Sequence, residues 1–342
     1  PDAEAGPADT AIEEIEAVEP TGEVRGVPDD YPTIQSAVDA AEPGDLVLVG
    51  PGTYQEQVNV STEQLVIRGV DREGTVVDGE FEREMGFLVT ADGVAIENIT
   101  VRDVTTNGFY WTGVTGFRGS YLTASNAGTY GIYAFDSSDG VFEHSYASGS
   151  ADAGYYVGQC HDCRTILNEV TAEHNALGFS GTNASNSLYL VNSTWRDNGA
   201  GIVPNTLRSQ RYPPSRGAVI AGNLVESNDN LDVPVLSGTW PAFGNGILVA
   251  GGVTHEIRDN VVRDHPGGGV TIAPNLSGRL WQAGGNVVED NHIDGSGRAD
   301  LLVVAPSADG GDCFAGNDVD RTAPRLLQQA RPCDGMQVPS IG

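Results

Sequence analysis

Between Gly131 and Gly269 a short phrase keeps returning, Gly followed by an aliphatic or aromatic residue. Its instances are Gly131-Ile132, Gly154-Tyr155, Gly178-Phe179, Gly201-Ile202, Gly246-Ile247 and Gly269-Val270. About nine or more residues before each stands a small polar residue ahead of an apolar one: Ser120-Tyr121, Ser145-Tyr146, Glu169-Val170, Ser193-Thr194, Asn223-Leu224 and Asn260-Val261, with Asn98-Ile99 and Asn291-His292 as outliers. The starts of this second phrase are 22, 25, 24 and 24 residues apart, then 30, 37 and 31. A unit this short cannot bury a core alone, so copies must stack and share one. With strand-forming runs and Gly/Asn turns in every unit, the repeat predicts an all-β fold. The expected form is a single-stranded right-handed parallel β-helix, a solenoid of about ten coils and roughly 50 Å long at the strand spacing of about 4.8 Å.

Each coil reads as three strands. One precedes the Asn or Ser position (Arg164-Thr165-Ile166-Leu167, Ala218-Val219-Ile220), one follows it (Val170-Thr171-Ala172, Leu224-Val225-Glu226), and the third begins at the recurring Gly. The polar turn residues are expected to bond from coil to coil as a ladder. Alternation along the third strand sends the residue after Gly inward, namely Phe109, Ile132, Tyr155, Phe179, Ile202, Ile247, Val270 and Leu301, and the next residue outward. That outward column reads Tyr110, Tyr133, Tyr156, Ser180, Val203, Leu248, Thr271, and the same parity places Trp111 inside.

Charge narrows the partners. The 47 acidic residues against 18 basic ones give −29, and every basic residue is Arg. Such a field repels phosphate, so no nucleic-acid partner is expected and an anionic membrane surface is disfavoured. No run of about 18 apolar residues is present to span a bilayer. The chain opens at Pro1 without Met or an apolar leader, the expectation for a product whose targeting segment has been removed. Four cysteines suit two disulfides, Cys160–Cys163 and Cys313–Cys333, in an oxidising, extracytoplasmic compartment.

Three segments are expected: an acidic linker or tail over 1–22, the β-helix over 23–320, and a tail over 321–342 tied back by the second disulfide. Ile34, Ala37, Val38 and Ala41 fall at helical spacing between Pro32-Thr33 and Pro43-Gly44, a short helix placed to cap the open end of the solenoid. The stretch YPTIQSAVDAAEPGDLVLVGPGTYQEQVNV from Tyr31 to Val60 resembles the opening of right-handed parallel β-helix proteins, including pectinesterase-like and NosD-like ones. The repeat pattern extends that resemblance over roughly residues 27 to 320. The superfamily hosts lyases, hydrolases, esterases, epimerases and non-enzymes, so the resemblance implies the fold and leaves the reaction open.

Insertions break the coil length at 204–216, 229–242 and 273–285, and long loops on a rigid scaffold are where binding groups concentrate. All three are expected to border one face. Tyr110, Tyr133 and Tyr156 would form a stacking platform there for sugar rings, or else a ladder that only stabilises the strands. Arg208, Arg211 and Arg216, with Tyr212, could pair bidentately with an acidic sugar or with the protein's own carboxylates. Trp240 and Trp281, within the insertions, are further candidates for substrate contact.

Lyases and epimerases on this fold need a cation to neutralise a uronate and a base to take its C5 proton. Without Lys, the base must be Arg, His or Tyr, so the catalytic candidates are His174 and Tyr156, with Glu173 and Asp197 on adjacent coils close enough to raise a pKa or hold Ca²⁺. Asp264-His265 repeats the pattern farther along. The alternative for each is a solvated turn residue. The pectinesterase catalytic segments, the Gly-His-Gly of polygalacturonase-like hydrolases and the Asp-Pro-His-Asp of alginate epimerases are all missing. Cys160-His161-Asp162-Cys163 reads as a short-loop disulfide. If reduced, Cys160, His161 and Cys163 offer a soft site for copper or zinc, matching the link of NosD-like relatives to copper-site assembly. The functional expectation is therefore an exported protein that binds a polysaccharide along the outward face of the Gly strand; whether it is an enzyme stays open, and if it is, a lyase or epimerase is expected before a glycoside hydrolase. The alternative is a non-catalytic NosD-like scaffold or metal-handling protein at the cell surface.

Overall fold

The computed structural model describes residues 19–236, 238–304 and 311–333. The expected segment 1–22 lies outside the described residues except for its last four, as does the end of the tail from 334 onward. Three parallel sheets of 12, 11 and 11 strands run the length of the molecule, and successive strands of the chain go to successive sheets. This is a parallel β-helix with slightly more coils than the ten expected. The first sheet holds the strands that precede each polar turn, such as Thr165–Asn168, and the second those that follow, such as Thr171–Glu173. The third holds the Gly strands, such as Ala153–Gly158 and Leu177–Thr182.

Register within the third sheet aligns Phe109, Ile132, Tyr155, Phe179 and Ile202 on neighbouring coils. All eight residues predicted to point inward there are essentially inaccessible, as is Trp111. Stacking like on like is forced by the geometry, since residues in register sit one strand spacing apart. The Phe87 and Phe109 rings are parallel with centroids 5.5 Å apart, and Tyr155 and Phe179 both meet the buried Trp195 edge-on. Each such side chain contributes roughly 1.5–3 kcal/mol by leaving water.

Both ends of the core are covered. Helix α1 (Ile34–Ala40) starts at a reciprocal Thr33/Ser36 capping box and lays Ile34, Ala37 and Val38 on the first coil. Glu56 fixes it by accepting from the backbone N–H groups of Ile34 and Gln35, each at 2.9 Å. At the far end, helix α2 (Leu327–Ala330) buries Leu327, and the Cys313–Cys333 disulfide ties the segment to the last coil.

The polar ladder exists, with a different register from the one read off the sequence. The side-chain oxygen of Ser145 accepts from Leu122 N, that of Ser193 from Val170 N, and that of Asn223 from Ser193 N. Asn223, Asn260, Asn291 and Asn317 then bond in succession, and Gln328 of α2 closes the column by accepting from Asn317. Ser120 and Glu169, assigned to this position from the spacing, are not in it; Leu122 and Val170 are. Burial explains the slip. The position is interior, so an aliphatic residue serves where no oxygen is needed, and a search for polar residues steps past it. A second interior column joins Asn175, Asn198 and Asn228 and ends on His265 Nδ1, which accepts from Asn228 N at 3.3 Å.

Candidate functional site

The three insertions meet over the third sheet. Residues 204–216 fold back along it: Asn183 donates to the carbonyls of Leu207 and Gln210 at 2.7 and 3.1 Å, and Gln159 accepts from Arg211 N at 3.1 Å. Residues 229–242 fold back on the opposite side, where Leu236 N donates to Ala151 O at 2.8 Å, and end in the 3₁₀ turn Trp240–Ala242. Residues 273–285 form the antiparallel hairpin Asn275–Ser277 with Arg279–Trp281, held to the first loop by Asn275 Nδ2 donating to Thr206 O at 2.8 Å. Between them lies an open cleft of about 570 Å³. Its floor is the outward column of the Gly strands at Ser180, Val203, Leu248 and Thr271, continued by Leu302.

Among the described residues that line this cleft, one is acidic, Asp152, and one is basic, Arg298. The rest are hydroxyl, amide and apolar groups. Asp152 enters the strand that carries Gly154, and its Oδ2 accepts from the Tyr130 hydroxyl at 3.2 Å. Burial under the 229–242 loop pushes its carboxyl up to about 6, against the modest lowering by the Tyr130 bond. Tyr130 is itself raised well above an ordinary phenol, by burial first and by the Asp152 charge second. A carboxyl that titrates near 6 can give or take a proton at neutral pH.

The residues expected to bind substrate are arranged otherwise. Tyr110 and Tyr133 stack at 4.4 Å, Tyr133 meets Tyr156 edge-on at 4.8 Å, and Tyr130 leans on both Tyr133 and Tyr156. The tyrosines pack on one another at the N-terminal side of the cleft. Tyr156 is 1% exposed. Its hydroxyl donates to Gln210 at 2.9 Å, and burial pushes it up to about 12, so it is neither an open platform nor an accessible base. Arg211 pairs with Asp136 at 3.0 Å, Arg216 donates to Pro214 O, and Arg208 is fixed through its backbone to Ser277 Oγ. Tyr212 is exposed, its ring 5.7 Å from that of His161. Trp281 is buried beneath the Arg279 guanidinium, 3.7 Å from its ring, whereas Trp240 is half exposed.

His174, Glu173 and Asp197 sit on the second sheet and at its corner, away from the cleft lining. Glu173 accepts from the Tyr146 hydroxyl at 2.7 Å and from Arg196 at 2.8 Å. Burial alone would raise its carboxyl, but these two bonds outweigh it and hold the carboxyl below its ordinary value, the reverse of the expected rise. His174, Asp197 and Asp264 share a positive φ of 60°, 52° and 62° at equivalent corners. Asn, Asp and His tolerate that left-handed backbone better than most residues, which accounts for their recurrence there. His265 is wholly buried and its imidazole is pushed down to about 4. The site residues that sequence reasoning missed are Asp152, Tyr130 and Arg298. Asp152 offered one signal, an acid in a position filled by Ala176 and Gly199 on the next coils.

Cys160 and Cys163 are joined in a disulfide, so the corner holds no thiolate for copper or zinc and His161 stands exposed without it. No group of three or more His, Cys, Asp or Glu among the described residues is arranged to hold a metal ion. Among the described residues, no helix is long and apolar enough to cross a membrane, a statement that does not bear on β-barrels.

The model of the right-handed β-helix region matches residues 85–277, more than half of the chain. The chain belongs to the right-handed β-helix family. No curated protein matches this β-helix in sequence. In structure it is similar to the A-module of the mannuronan C-5 epimerase AlgE4 of Azotobacter vinelandii, with a TM-score of 0.61 and 16% identity over 87% of this chain and 95% of that one. It is also similar to a mannuronic acid-specific polysaccharide family 6 lyase from human gut microbiota, with a TM-score of 0.55 and 12% identity over 86% and 80% of the two chains. A third is ORF18 of Geobacillus virus E2, with a TM-score of 0.57 and 13% identity over 85% and 59%. At these identities the likeness is one of fold.

Proposed function

We propose that this β-helix binds a polysaccharide in the cleft over its third sheet, outside the cytoplasm, and that Asp152 moves a proton on the bound sugar. The observation that carries the reading is the cleft's charge inventory: one carboxyl near neutral pKa, one guanidinium, and otherwise the hydroxyl, amide and apolar lining that suits a sugar. The two disulfides support an oxidising location. A mannuronan epimerase and a mannuronic acid-specific lyase share the fold, which supports a uronate as the sugar. Ionised Asp152 then takes the C5 proton, with Tyr130 holding its carboxylate in place, and Arg298, five coils away and so roughly 24 Å along the cleft, pairs with the carboxylate of another ring of the same polymer. Expulsion of the 4-linked oxygen, which takes a proton from solvent as the C4=C5 double bond forms, is cleavage, and delivery of a solvent proton to C5 from the other face is epimerisation. A net charge of −29 repels a polyanion at low salt, so binding should strengthen as ionic strength screens that field.

A glycan array, with absorbance of unsaturated uronates for cleavage and proton NMR for epimerisation, tests the proposal. Asp152→Asn should retain glycan binding within about threefold and lose at least about 100-fold in turnover. Silence of the array across acidic and neutral glycans, or a variant as active as the parent, overturns it.

A further inference from the structure

Next to the cleft, around the corner where the second sheet turns into the third, lies a second hollow of about 340 Å³. Trp240, Phe243 and Pro266 make its apolar side, and Asn245 and Arg298 line both hollows. Trp240 stands on Phe243 with ring centroids 4.5 Å apart, and half of its surface is open to solvent. A 3₁₀ turn too short to bend away fixes it there, with Phe243 N donating to Trp240 O and Asn245 Nδ2 to Ala242 O. Asn245 is immobilised from the other side as well, because its Oδ1 accepts from Thr271 Oγ1 at 2.9 Å and from Gly268 N at 3.2 Å. The Arg298 backbone is pinned to Gly267 O at 2.9 Å.

Several arginines already have a carboxylate: Arg211 has Asp136, Arg196 has Glu173 and Arg263 has Glu226. Arg298 has no carboxylate in ion-pairing range among the described residues, in a chain where acids outnumber arginines 47 to 18. A cation without a carboxylate partner among the described residues, at the junction of two hollows and beside an exposed indole, matches a sugar that offers a carboxylate at one edge and a C–H face to stack.

We infer that the Trp240 shelf is an outer subsite for one further uronate ring of the polysaccharide held in the cleft, with Arg298 bridging the two positions. The inference rests on the reading of the cleft given above and extends it. The bound segment is longer than the cleft alone accommodates, and its charge is read at the junction. The polymer therefore leaves the third sheet by the corner that Trp240 and Pro266 form, and chain length becomes a determinant of affinity.

The four tryptophans make the test selective. Trp111 and Trp195 are inaccessible and Trp281 is 8% exposed, against 50% for Trp240, so acrylamide quenching of intrinsic fluorescence reports mainly on Trp240. A uronate hexasaccharide should protect that signal several-fold, and a disaccharide or a neutral hexasaccharide should protect it much less. Trp240→Ala should weaken hexasaccharide binding in calorimetry about tenfold and leave disaccharide binding nearly unchanged. Arg298→Gln should weaken both acidic ligands about tenfold. Thermal melts of each variant confirm that these surface changes leave the fold intact. If the hexasaccharide binds the parent protein while Trp240 stays fully quenchable and Trp240→Ala binds as well as the parent, the shelf is refuted and the cleft reading stands. If no uronate oligosaccharide binds the parent, both readings fall.

Discussion

Asp152→Asn should make the protein more stable above about pH 4, with the full gain at neutral and alkaline pH. The Asp152 carboxyl titrates near 3.8 in an unfolded chain and at about 6 in the fold, because burial under the 229–242 loop disfavours its charged form. The native state therefore holds the proton more tightly than the unfolded state does. Below pH 3.8 both states are protonated and the site costs nothing. As pH rises from 3.8 to 6 the unfolded state ionises first, and native stability falls through that window. Above pH 6 the loss is complete. The gap between the two values corresponds to roughly 3 kcal/mol, an upper figure because the side chain keeps some contact with water. Asparagine fills nearly the same volume and its Oδ1 can still accept from the Tyr130 hydroxyl, so the substitution removes the charge and little else. Urea titrations of parent and variant at pH 4, 5, 6, 7 and 8 give the difference directly. It should be near zero at pH 4, grow through pH 5 and 6, and level off above. A difference that is constant with pH, or an Asn variant less stable than the parent at pH 8, would refute the argument that Asp152 is held against its solvation preference.

Two further outcomes probe the scaffold. Asn260 accepts from the backbone and side chain of Asn223 and donates to Ile220 O, Arg258 O and Asn291, all but the Arg258 bond fully buried. Asn260→Ala strands several of these groups at once and should cost roughly 3 kcal/mol or more in a denaturant melt, whereas Asn→Ala on an exposed turn should cost a few tenths. Replacing Cys313 and Cys333 by Ser opens a loop of 20 residues and should lower stability by about 3 kcal/mol. The loss should appear in amide exchange first at α2 and the Asn317–Gln328 bonds that it carries.

What the sequence determined by itself is the coil. A Gly followed by an apolar residue at intervals near 24 admits few ways of burying short strands, and period-two alternation then decides which residues face the core. Phe109, Tyr155 and Phe179 were legible for that reason, and so was the placement of three insertions around one face. The disulfides were legible from cysteine count and spacing, which are chain-local facts. Register was not. A ladder position can be Leu122, Ser145 or Val170, because an interior site accepts either an aliphatic side chain or a bonded oxygen, and only the neighbouring coil decides which.

The site belongs to tertiary structure for the same kind of reason. Whether an outward-pointing side chain meets solvent depends on where loops from other coils lie down. Residues 204–216 return over Tyr156, 54 positions back from its partner Gln210, and turn an expected base into a buried phenol. Residues 229–242 return to Ala151 and turn an unremarked Asp152 into a carboxyl titrating near 6. Desolvation is set by whatever covers a group, and the coverage here comes from segments 50 to 90 residues away in the chain.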